Sequence, residues 1–456
     1  MTSAAWTGSA EGASTSPTSP RTISVLVVAA TAVAWWLVRA GPYRLDDFAT
    51  PLDDPASASL AAFVEHLPKT LRPLTKLTYA LEAFFGVEGA ATRRGVTALI
   101  HALGAGALSL FLVRIGTPRR VAALLALAWA LHPIHAESVL SVAGRSAAVG
   151  ATLVLVSLAL LAHDRPRAAG VALALAVLGR EAAAGASIGV FAFAVFWPGM
   201  KGTRLDRFGP LFIGLFAAVT WAALRPRALQ LAEYSFMGRP LSTSIVQQVS
   251  ALPVGLSLYL RPWALSADHG EALPKSALSL LFVVGALLIA AVPALAFRLR
   301  KRSPIVAVGL LLWLGALLPT QSFFPKLDPL TERPLGLALA GLVVAAGPLL
   351  GRATTRSGRA LALGAALAVA SLGLRFTWLR GALYATDLAL WSDAASKSVA
   401  NPRPFEELAF ALDAEGRRDE AIAALKRARD LDPFSSSVQA RLRVWERPSP
   451  VVENAR

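Results

Sequence analysis

The sequence is dominated by long apolar runs that alternate with short loops carrying arginine and lysine. About eleven of these runs have the length and composition of membrane-spanning helices: 23–40, 96–113, 121–131, 139–162, 168–178, 182–196, 208–224, 277–297, 305–318, 335–350 and 360–379. Hydrophobic residues make up 55% of the 456 residues and charged residues 16%, whereas soluble domains carry about 25% charged residues. This pattern predicts an all-α, polytopic membrane protein.

The basic loops predict the orientation, because lysine and arginine concentrate on the cytoplasmic side of membrane proteins. With the apolar piece 246–260 left out of the spans, every basic turn falls on one side, and the densest is 298–302. The N-terminus is then cytoplasmic, and two long segments, 41–93 and 225–275, are external. We expect the chain to be a multi-pass protein of the cell inner membrane.

Composition also limits the chemistry of the chain. The net charge of +16 comes mostly from arginines in the loops, without the aromatic-interleaved basic patch of a nucleic-acid-binding protein. Nucleic acid is therefore not an expected partner. Cysteine is absent, which excludes a thiol nucleophile and a zinc–thiolate site.

The chain divides into three parts. Residues 1–20 are mostly small and polar, and we expect a disordered tail. Residues 21–382 form the transmembrane domain, and residues 383–456 form a helical C-terminal domain outside the membrane. Within that domain, 402–433 has the spacing of one tetratricopeptide (TPR) repeat, carried by Phe405, Leu408, Ala409, Leu412, Gly416, Ala421, Leu425, Ala428 and Pro433. A single repeat needs a neighbour, so we expect it to dock on the membrane domain or on a partner.

Two adjacent carboxylates, Asp46 and Asp47, follow the first apolar run directly. A carboxylate at the mouth of a membrane helix is a candidate general base. The alternative is a solvated helix end, in which neither side chain has a catalytic role.

A polar stretch containing His132, His135 and Glu137 stands between two apolar runs. Histidine and glutamate can hold a metal, but two histidines three residues apart with Pro133 between them do not make the helical pair of a zinc hydrolase. We expect instead a polar network at a helix end that fixes the loop carrying the aspartates. No metal site is predicted.

Several charged residues interrupt the apolar runs or the external loops, where they are candidates for contact with an anionic headgroup. The cations are Arg72, Arg145, Arg180 and Arg333, and two of them have a neighbouring acid, Glu181 and Glu332. Guanidinium groups match the geometry of phosphate. The alternatives are an interfacial charge for Arg145, self-contained ion pairs for Arg180–Glu181 and Glu332–Arg333, and loop structure for Arg72.

Six stretches of this sequence, in order, resemble one family. The stretch 128–139, which contains His132-Pro133-Ile134-His135-Ala136-Glu137, is followed by Gly144-Arg145-Ser146 and is similar to the transmembrane-and-TPR O-mannosyltransferases that modify cadherins in animals, and to their bacterial relatives. The other similar stretches are Leu45-Asp46-Asp47, Leu71-Arg72-Pro73-Leu74, His101-Ala102-Leu103, 258–266 and Thr331-Glu332-Arg333-Pro334-Leu335. The sequence departs from the family at Leu45, where an aromatic residue is usual, at Gly179-Arg180-Glu181, at Pro334 and in having one clear repeat.

The resemblance implies a glycosyltransferase of the C-type (GT-C) fold with a polyprenyl-phosphate sugar as donor and no cofactor or metal. Asp46 would deprotonate an acceptor hydroxyl, Asp47 would orient or tune it, and the arginines would stabilise the lipid phosphate that leaves. The C-terminal repeat would present an acceptor protein, modified with mannose or a similar sugar on serine or threonine.

Three other functions remain open. The acceptor could be a lipid or a glycan of the cell envelope. A transporter of lipid-linked intermediates would share the spans and the buried arginines, although it predicts repeated halves that the sequence does not display. A membrane scaffold with an interaction tail would tolerate the loss of both aspartates.

Overall fold

A computed structural model describes residues 19–226, 230, 233, 240–269, 273–321, 328–351 and 355–446, and these residues contain helices and no strand. Residues 1–18 of the expected tail lie outside the described residues. The helices of the membrane domain are α1 (Pro20–Leu37), α2 (Pro55–Ala58), α3 (Leu60–His66), α4 (Pro73–Phe84), α5 (Ala90–Arg114), α6 (Arg119–Ala130), α7 (Ala136–Val139), α8 (Arg145–Ala162), α9 (Pro166–Gly179), α10 (Ala183–Phe196), α11 (Arg204–Ala223), α12 (Leu241–Leu258), α13 (Leu280–Leu299), α14 (Pro304–Leu317), α15 (Arg333–Gly351) and α16 (Arg356–Leu383). The C-terminal helices are α17 (Asp387–Lys397), α18 (Arg403–Ala414), α19 (Arg418–Leu431) and α20 (Ser436–Trp445).

Among the described residues, seven helices are long and apolar enough to cross a membrane: α1, α5, α8, α11, α13, α15 and α16. These helices make the chain a multi-pass membrane protein. Helices α9, α10 and α14 are apolar but have 14 residues each, about 21 Å at 1.5 Å per residue, which is less than a bilayer core of about 30 Å. The all-helical prediction is confirmed, whereas the count of about eleven spans stays a prediction.

One predicted span is not continuous. The run 139–162 was expected to form a single helix, but the structure has α7, a turn over residues 140–144, and then α8. Gly144 permits this turn, because a Cβ there would collide with the carbonyl of Glu137. The break places a loop beside the aspartates where the sequence pattern predicts the first turns of a helix.

Small residues bring the core helices close together. A Cβ at Gly309 of α14 would collide with the carbonyl of Gly341 of α15, and a Cβ at Gly185 of α10 would collide with the carbonyl of Gly315. Such close backbone approach is how membrane helices gain packing where lipid removes the hydrophobic driving force. These three helices therefore form a tight group whose ends lie beside the candidate site.

The C-terminal helices dock on the membrane domain. Leu390 of α17 packs in one buried cluster with Trp35 and Val38 from the end of α1. Helices α18 and α19 occupy the predicted repeat, with Gly416 at φ 75° in the turn between them. The apolar faces of α18, α19 and α20 form a separate core. Arg403 adds ion pairs to Asp268 and Asp328 of the membrane domain.

Candidate active site

The aspartates stand at the end of a short strap, residues 38–47, that leaves the end of α1. Arg94 of α5 holds this strap by donating hydrogen bonds to the carbonyls of Arg39, Ala40, Gly41 and Pro42. The Arg94 side chain is fully buried. Because one guanidinium serves four consecutive residues, the strap has a fixed path to the aspartates.

Asp47 is fully buried and serves as an acceptor inside the protein. Its Oδ1 accepts hydrogen bonds from the amide of Ala143 at 2.8 Å and from Ser141 Oγ at 3.0 Å. Its Oδ2 accepts from the amide of Arg44 at 3.2 Å. These bonds join the strap to the turn between α7 and α8 and leave Asp47 no open surface.

Asp46 has the opposite environment, with 62% of its side chain exposed. Leu45, just before it, has φ 41°, a left-handed conformation that is uncommon for a residue other than glycine. The turn at Leu45 thus points Asp46 outward while Asp47 points inward. Of the two predicted catalytic carboxylates, only Asp46 can reach a substrate.

Arg333, the first residue of α15, connects Asp46 to Glu137. Its Nη1 and Nη2 lie 3.3 and 3.2 Å from Asp46 Oδ2, and its Nε lies 2.7 Å from Glu137 Oε1. Glu137 Oε2 also accepts from the amides of Glu332 at 3.0 Å and Arg333 at 3.2 Å. A carboxylate at this position fits the positive end of the α15 dipole. Glu137 therefore fixes the start of α15 and, with it, the cation beside Asp46.

A second pair of charges lies at the break between α9 and α10. Arg72 donates two hydrogen bonds to Glu181, at 2.7 and 2.5 Å. Burial would raise the pKa of Glu181, but the charge and hydrogen bonds of Arg72 outweigh it and lower that pKa to about 2. In place of the self-contained Arg180–Glu181 pair, which was one of two interpretations, the structure has a pair that joins the external loop to the break.

Arg180 is consequently left without a close carboxylate. Within the described part of the chain its hydrogen bond goes to Ser146 Oγ at 3.0 Å, and no acid lies within ion-pair distance. Burial, together with the nearby charge of Arg72, lowers the pKa of Arg180 to about 10. A cation in this state gains from any anion placed beside it.

Arg180 and Arg333 line the same crevice. We define the crevice by its lining residues, which come from α8, the break between α9 and α10, the start of α10, the end of α14 and the start of α15: Ala147, Gly150, Ala151, Arg180, Ala182, Ala183, Ala316, Arg333, Pro334 and Leu337. Apart from the two arginines, its walls are apolar. The crevice thus combines an apolar wall with two guanidinium groups, and one of them holds Asp46.

Arg145 does not reach this crevice as a headgroup contact, which corrects the sequence-based expectation. Its side chain is fully buried, its Nη2 lies 2.6 Å from Glu82 Oε1, and its Nε donates to Thr97 Oγ1 at 3.0 Å. The guanidinium also lies over the ring of Tyr79, 4.4 Å from its centroid. Burial raises the pKa of Glu82, and the charge of Arg145 opposes that rise. Because every face of Arg145 is covered by protein, we assign it to the packing of α4 against α5 and α8.

The two histidines do not join Glu137 in one network. His132 Nδ1 accepts from the amide of Ile134 at 3.1 Å, so its Nε2 donates to the carbonyl of Tyr259 at 3.1 Å. The His135 ring packs against those of His101 and Trp129, with centroids 4.4 and 4.7 Å apart. Burial lowers the pKa of both histidines. In the described residues no group of three or more His, Asp or Glu side chains could hold a metal ion.

Glu332, the acid before Arg333, is also buried. Its Oε1 accepts from the amide of Ser266 at 2.8 Å, lies 3.1 Å from His269 Nε2 and lies 3.6 Å from Arg380 Nη2. The predicted pair between Glu332 and Arg333 is therefore replaced by contacts with the second external segment and with α16.

Sequence reasoning missed four charged residues that shape this site, namely Glu82, Arg94, Arg380 and Asp387. Arg94 had a usable signal. By the predicted topology Arg93 and Arg94 lie at the external end of α5, opposite to the side where basic residues concentrate. Arginines on that side are candidates for a structural or functional role. The other three give no such signal, because their partners are distant in sequence.

Comparisons with known proteins are sparse. No family model matches the sequence, and no curated protein matches it. One solved structure that matches is the oligosaccharyltransferase of Archaeoglobus fulgidus, tethered through a disulfide bond to an acceptor peptide with the NVT sequon. The two share 13% identity and a TM-score of 0.44, over 87% of this chain and 58% of that one. This chain thus spans less than two thirds of that protein's length, and so low a TM-score does not establish a common fold.

Proposed function

We propose that this protein is a GT-C-type membrane glycosyltransferase, which moves a sugar from a polyprenyl-phosphate donor to a hydroxyl acceptor with inversion. The observation that carries the proposal is the placement of Asp46. It is an exposed carboxylate held 3.2 Å from Arg333, and Arg333 lines an apolar crevice together with Arg180. The motifs described above support the same reaction class.

The crevice suits the phosphate end of a lipid-linked donor. The crevice encloses only about 20 Å³, so a donor would have to widen it. Its two guanidinium groups could then bind phosphate oxygens, and its apolar wall could lie along the isoprenoid chain. Arg180, which has no carboxylate partner within ion-pair distance in the described residues, would gain the counter-charge that it lacks. Arg333 would exchange Asp46 for phosphate, and this exchange would free the carboxylate when donor is bound.

The reaction then needs two functions from the chain. Asp46 takes the proton of the acceptor hydroxyl as its oxygen attacks the anomeric carbon. The bond between that carbon and the phosphate oxygen breaks, and its electron pair stays on the lipid phosphate. Arg180 and Arg333 stabilise that anion, a role that preorganised cations perform without protonating the leaving group. Because the arginines supply the positive charge, the proposed mechanism requires no metal.

The acceptor proposed is a serine or threonine of an exported protein, and the sugar proposed is mannose or a relative. The C-terminal helices α17 to α20, docked beside the site, would present this acceptor. By the predicted orientation, the site and these helices are external and the N-terminus is cytoplasmic.

The experiment that tests the proposal is donor turnover by the purified protein in lipid. Release of lipid phosphate from labelled polyprenyl-phosphate sugars is followed with and without acceptor polypeptides, lipids and glycans. We expect turnover that falls at least a hundredfold in Asp46→Asn, on the order expected for a lost general base. Asp53→Asn, an exposed acid in the same external loop, serves as the matched control and should retain turnover.

Three results would contradict the proposal. Full turnover in Asp46→Asn would remove Asp46 as the base. Binding of donor without turnover, with movement of labelled donor across the bilayer, would indicate a transporter. Absence of both binding and turnover for every donor would favour a scaffold.

A further inference from the structure

We infer that helix α17 of the C-terminal domain contributes to the site by positioning both Asp46, the proposed base, and Arg333, the cation beside it. The inference rests on the proposed function. It assigns positioning roles to Arg44, Asp387, Arg380 and Asp393, which make no contact with Asp46 themselves. The C-terminal domain would then set the geometry of the reaction as well as present an acceptor.

The first connection runs through the strap. Arg44, two residues before Asp46, donates through Nε to Asp387 Oδ1 at the start of α17. The Arg44 side chain is 9% exposed and that of Asp387 is 43% exposed, so water screens this pair in part, from the Asp387 side. The carbonyl of Tyr384, just before α17, packs so closely on Gly41 that a Cβ there would collide with it. Arg94 from α5 and the region around α17 thus enclose the strap from two sides.

The second connection runs to the start of α15. Arg380 Nη2 lies 3.6 Å from Glu332 Oε1, and Arg380 Nη1 lies 3.3 Å from Asp393 of α17. Lys397, one turn further along α17, lies 2.7 Å from the same Asp393. Glu332 directly precedes Arg333, so α17 reaches the cation through two intermediaries, Arg380 and Glu332.

These two connections meet across the Asp46–Arg333 contact. Asp387 pairs with Arg44, which lies two residues before Asp46. Asp393 pairs with Arg380, which contacts Glu332, the residue directly before Arg333. Leu45 lies between Arg44 and Asp46 at φ 41°, a conformation that persists only where the surroundings enforce it. Loss of the Arg44–Asp387 pair should therefore let this turn relax and move Asp46 away from the position required for proton transfer.

The kinetic test compares Asp387→Asn, Arg44→Gln and the exchanged pair Arg44→Asp with Asp387→Arg. We expect each single variant to lower kcat roughly ten- to hundredfold, since small misplacements cost that much, while the KM for donor stays the same. The exchanged pair should recover most of kcat. Glu420→Gln removes an exposed acid of the same domain, 58% exposed in its pair with Arg417, and should change neither constant. Unchanged kcat in both single variants, or no recovery in the exchanged pair, would overturn the inference.

A second measurement does not depend on turnover. Cysteine is absent from the chain, so Asp46→Cys offers one thiol for a nitroxide label. Adding Asp387→Asn should increase the mobility of that label, whereas adding Glu420→Gln should leave it unchanged. If wild-type protein turns over no donor, the proposed function fails while the label still reports on positioning. Equal mobility in both double variants would overturn the positioning role itself.

Discussion

Two clusters of charge in this protein have similar composition and opposite environments. In the closed cluster, Arg145 and Glu82 form an ion pair with side chains 0% and 5% exposed. In the open cluster, Arg333 and Asp46 form an ion pair with side chains 21% and 62% exposed. Both clusters contain arginines that interrupt the apolar pattern or stand beside it, and sequence inspection gave the two arginines the same candidate role.

The difference teaches that an arginine near membrane depth becomes available to a ligand only through its partners. Arg145 has a carboxylate, hydroxyls and an aromatic ring around it, so no surface is left for a substrate. Glu181, the sequence neighbour of Arg180, pairs with Arg72 instead, and the Arg180 guanidinium lines the crevice. The closed cluster should therefore control stability, and the open cluster should control activity.

The largest expected effect is the loss of stability in Arg145→Gln. Removing Arg145 leaves the buried Glu82 with only the longer ion pair to Arg93 Nε at 3.8 Å, and breaking a buried pair in this way costs about 3–5 kcal/mol of unfolding free energy. The measurement is chemical unfolding in detergent, with Arg429→Gln, in an exposed pair, as the control. A stable Arg145→Gln protein that has lost donor turnover would return Arg145 to the role of headgroup contact.

The next largest expected effect is a loss of donor turnover in Arg180→Gln, a change in the crevice. Because Arg180 would bind the leaving phosphate, we expect donor turnover to fall by about 10²–10³-fold. Unfolding free energy should not decrease, because Arg180 is a half-buried cation that has no carboxylate within ion-pair distance among the described residues. Arg180→Lys keeps the positive charge but lacks the planar guanidinium group, so its donor turnover should lie between those of wild type and Arg180→Gln. Equal turnover in wild type and Arg180→Gln would remove Arg180 from the site.

A smaller effect distinguishes the two aspartates by stability. Asp47→Asn weakens a buried acceptor with three hydrogen-bond donors and should cost about 1–3 kcal/mol of unfolding free energy. Asp46→Asn removes one partner of an exposed pair and should cost about 0–1 kcal/mol. Unfolding curves for both variants at one pH check this order. An Asp46→Asn protein that is the less stable of the two would reverse the roles given to the pair.

The smallest effect concerns acid. Arg72 holds the pKa of Glu181 at about 2 in the folded protein, below the ordinary value near 4.3. The stabilisation is therefore present above the ordinary pKa and is lost as pH falls from about 5 towards 2. Glu181→Gln should weaken this part of the acid dependence, measured as unfolding free energy at several pH values. An identical acid dependence in Glu181→Gln would show that the pair does not contribute to it.

The sequence by itself determined the helices and the position of the aspartates. Apolar runs of helical length must satisfy their backbone groups internally in a membrane, and each predicted run contains or overlaps a helix. The break inside 139–162 was not predicted, because neither Gly144 nor Ser141 indicates a turn by itself. The turn is held by its contact with Asp47, which is distant in sequence. The placement of Asp46 and Asp47 shortly after the first apolar run needed no tertiary information.

Only the tertiary structure decided which charges are available. Arg333 and Asp46 are 287 positions apart, Arg44 and Asp387 are 343 apart, and Arg72 and Glu181 are 109 apart. No local pattern specifies such pairs, because a carboxylate selects its guanidinium by distance in space and by the cost of leaving either group buried alone. The same physics buried Asp47, exposed Asp46 and, among the described residues, left Arg180 without a carboxylate within ion-pair distance.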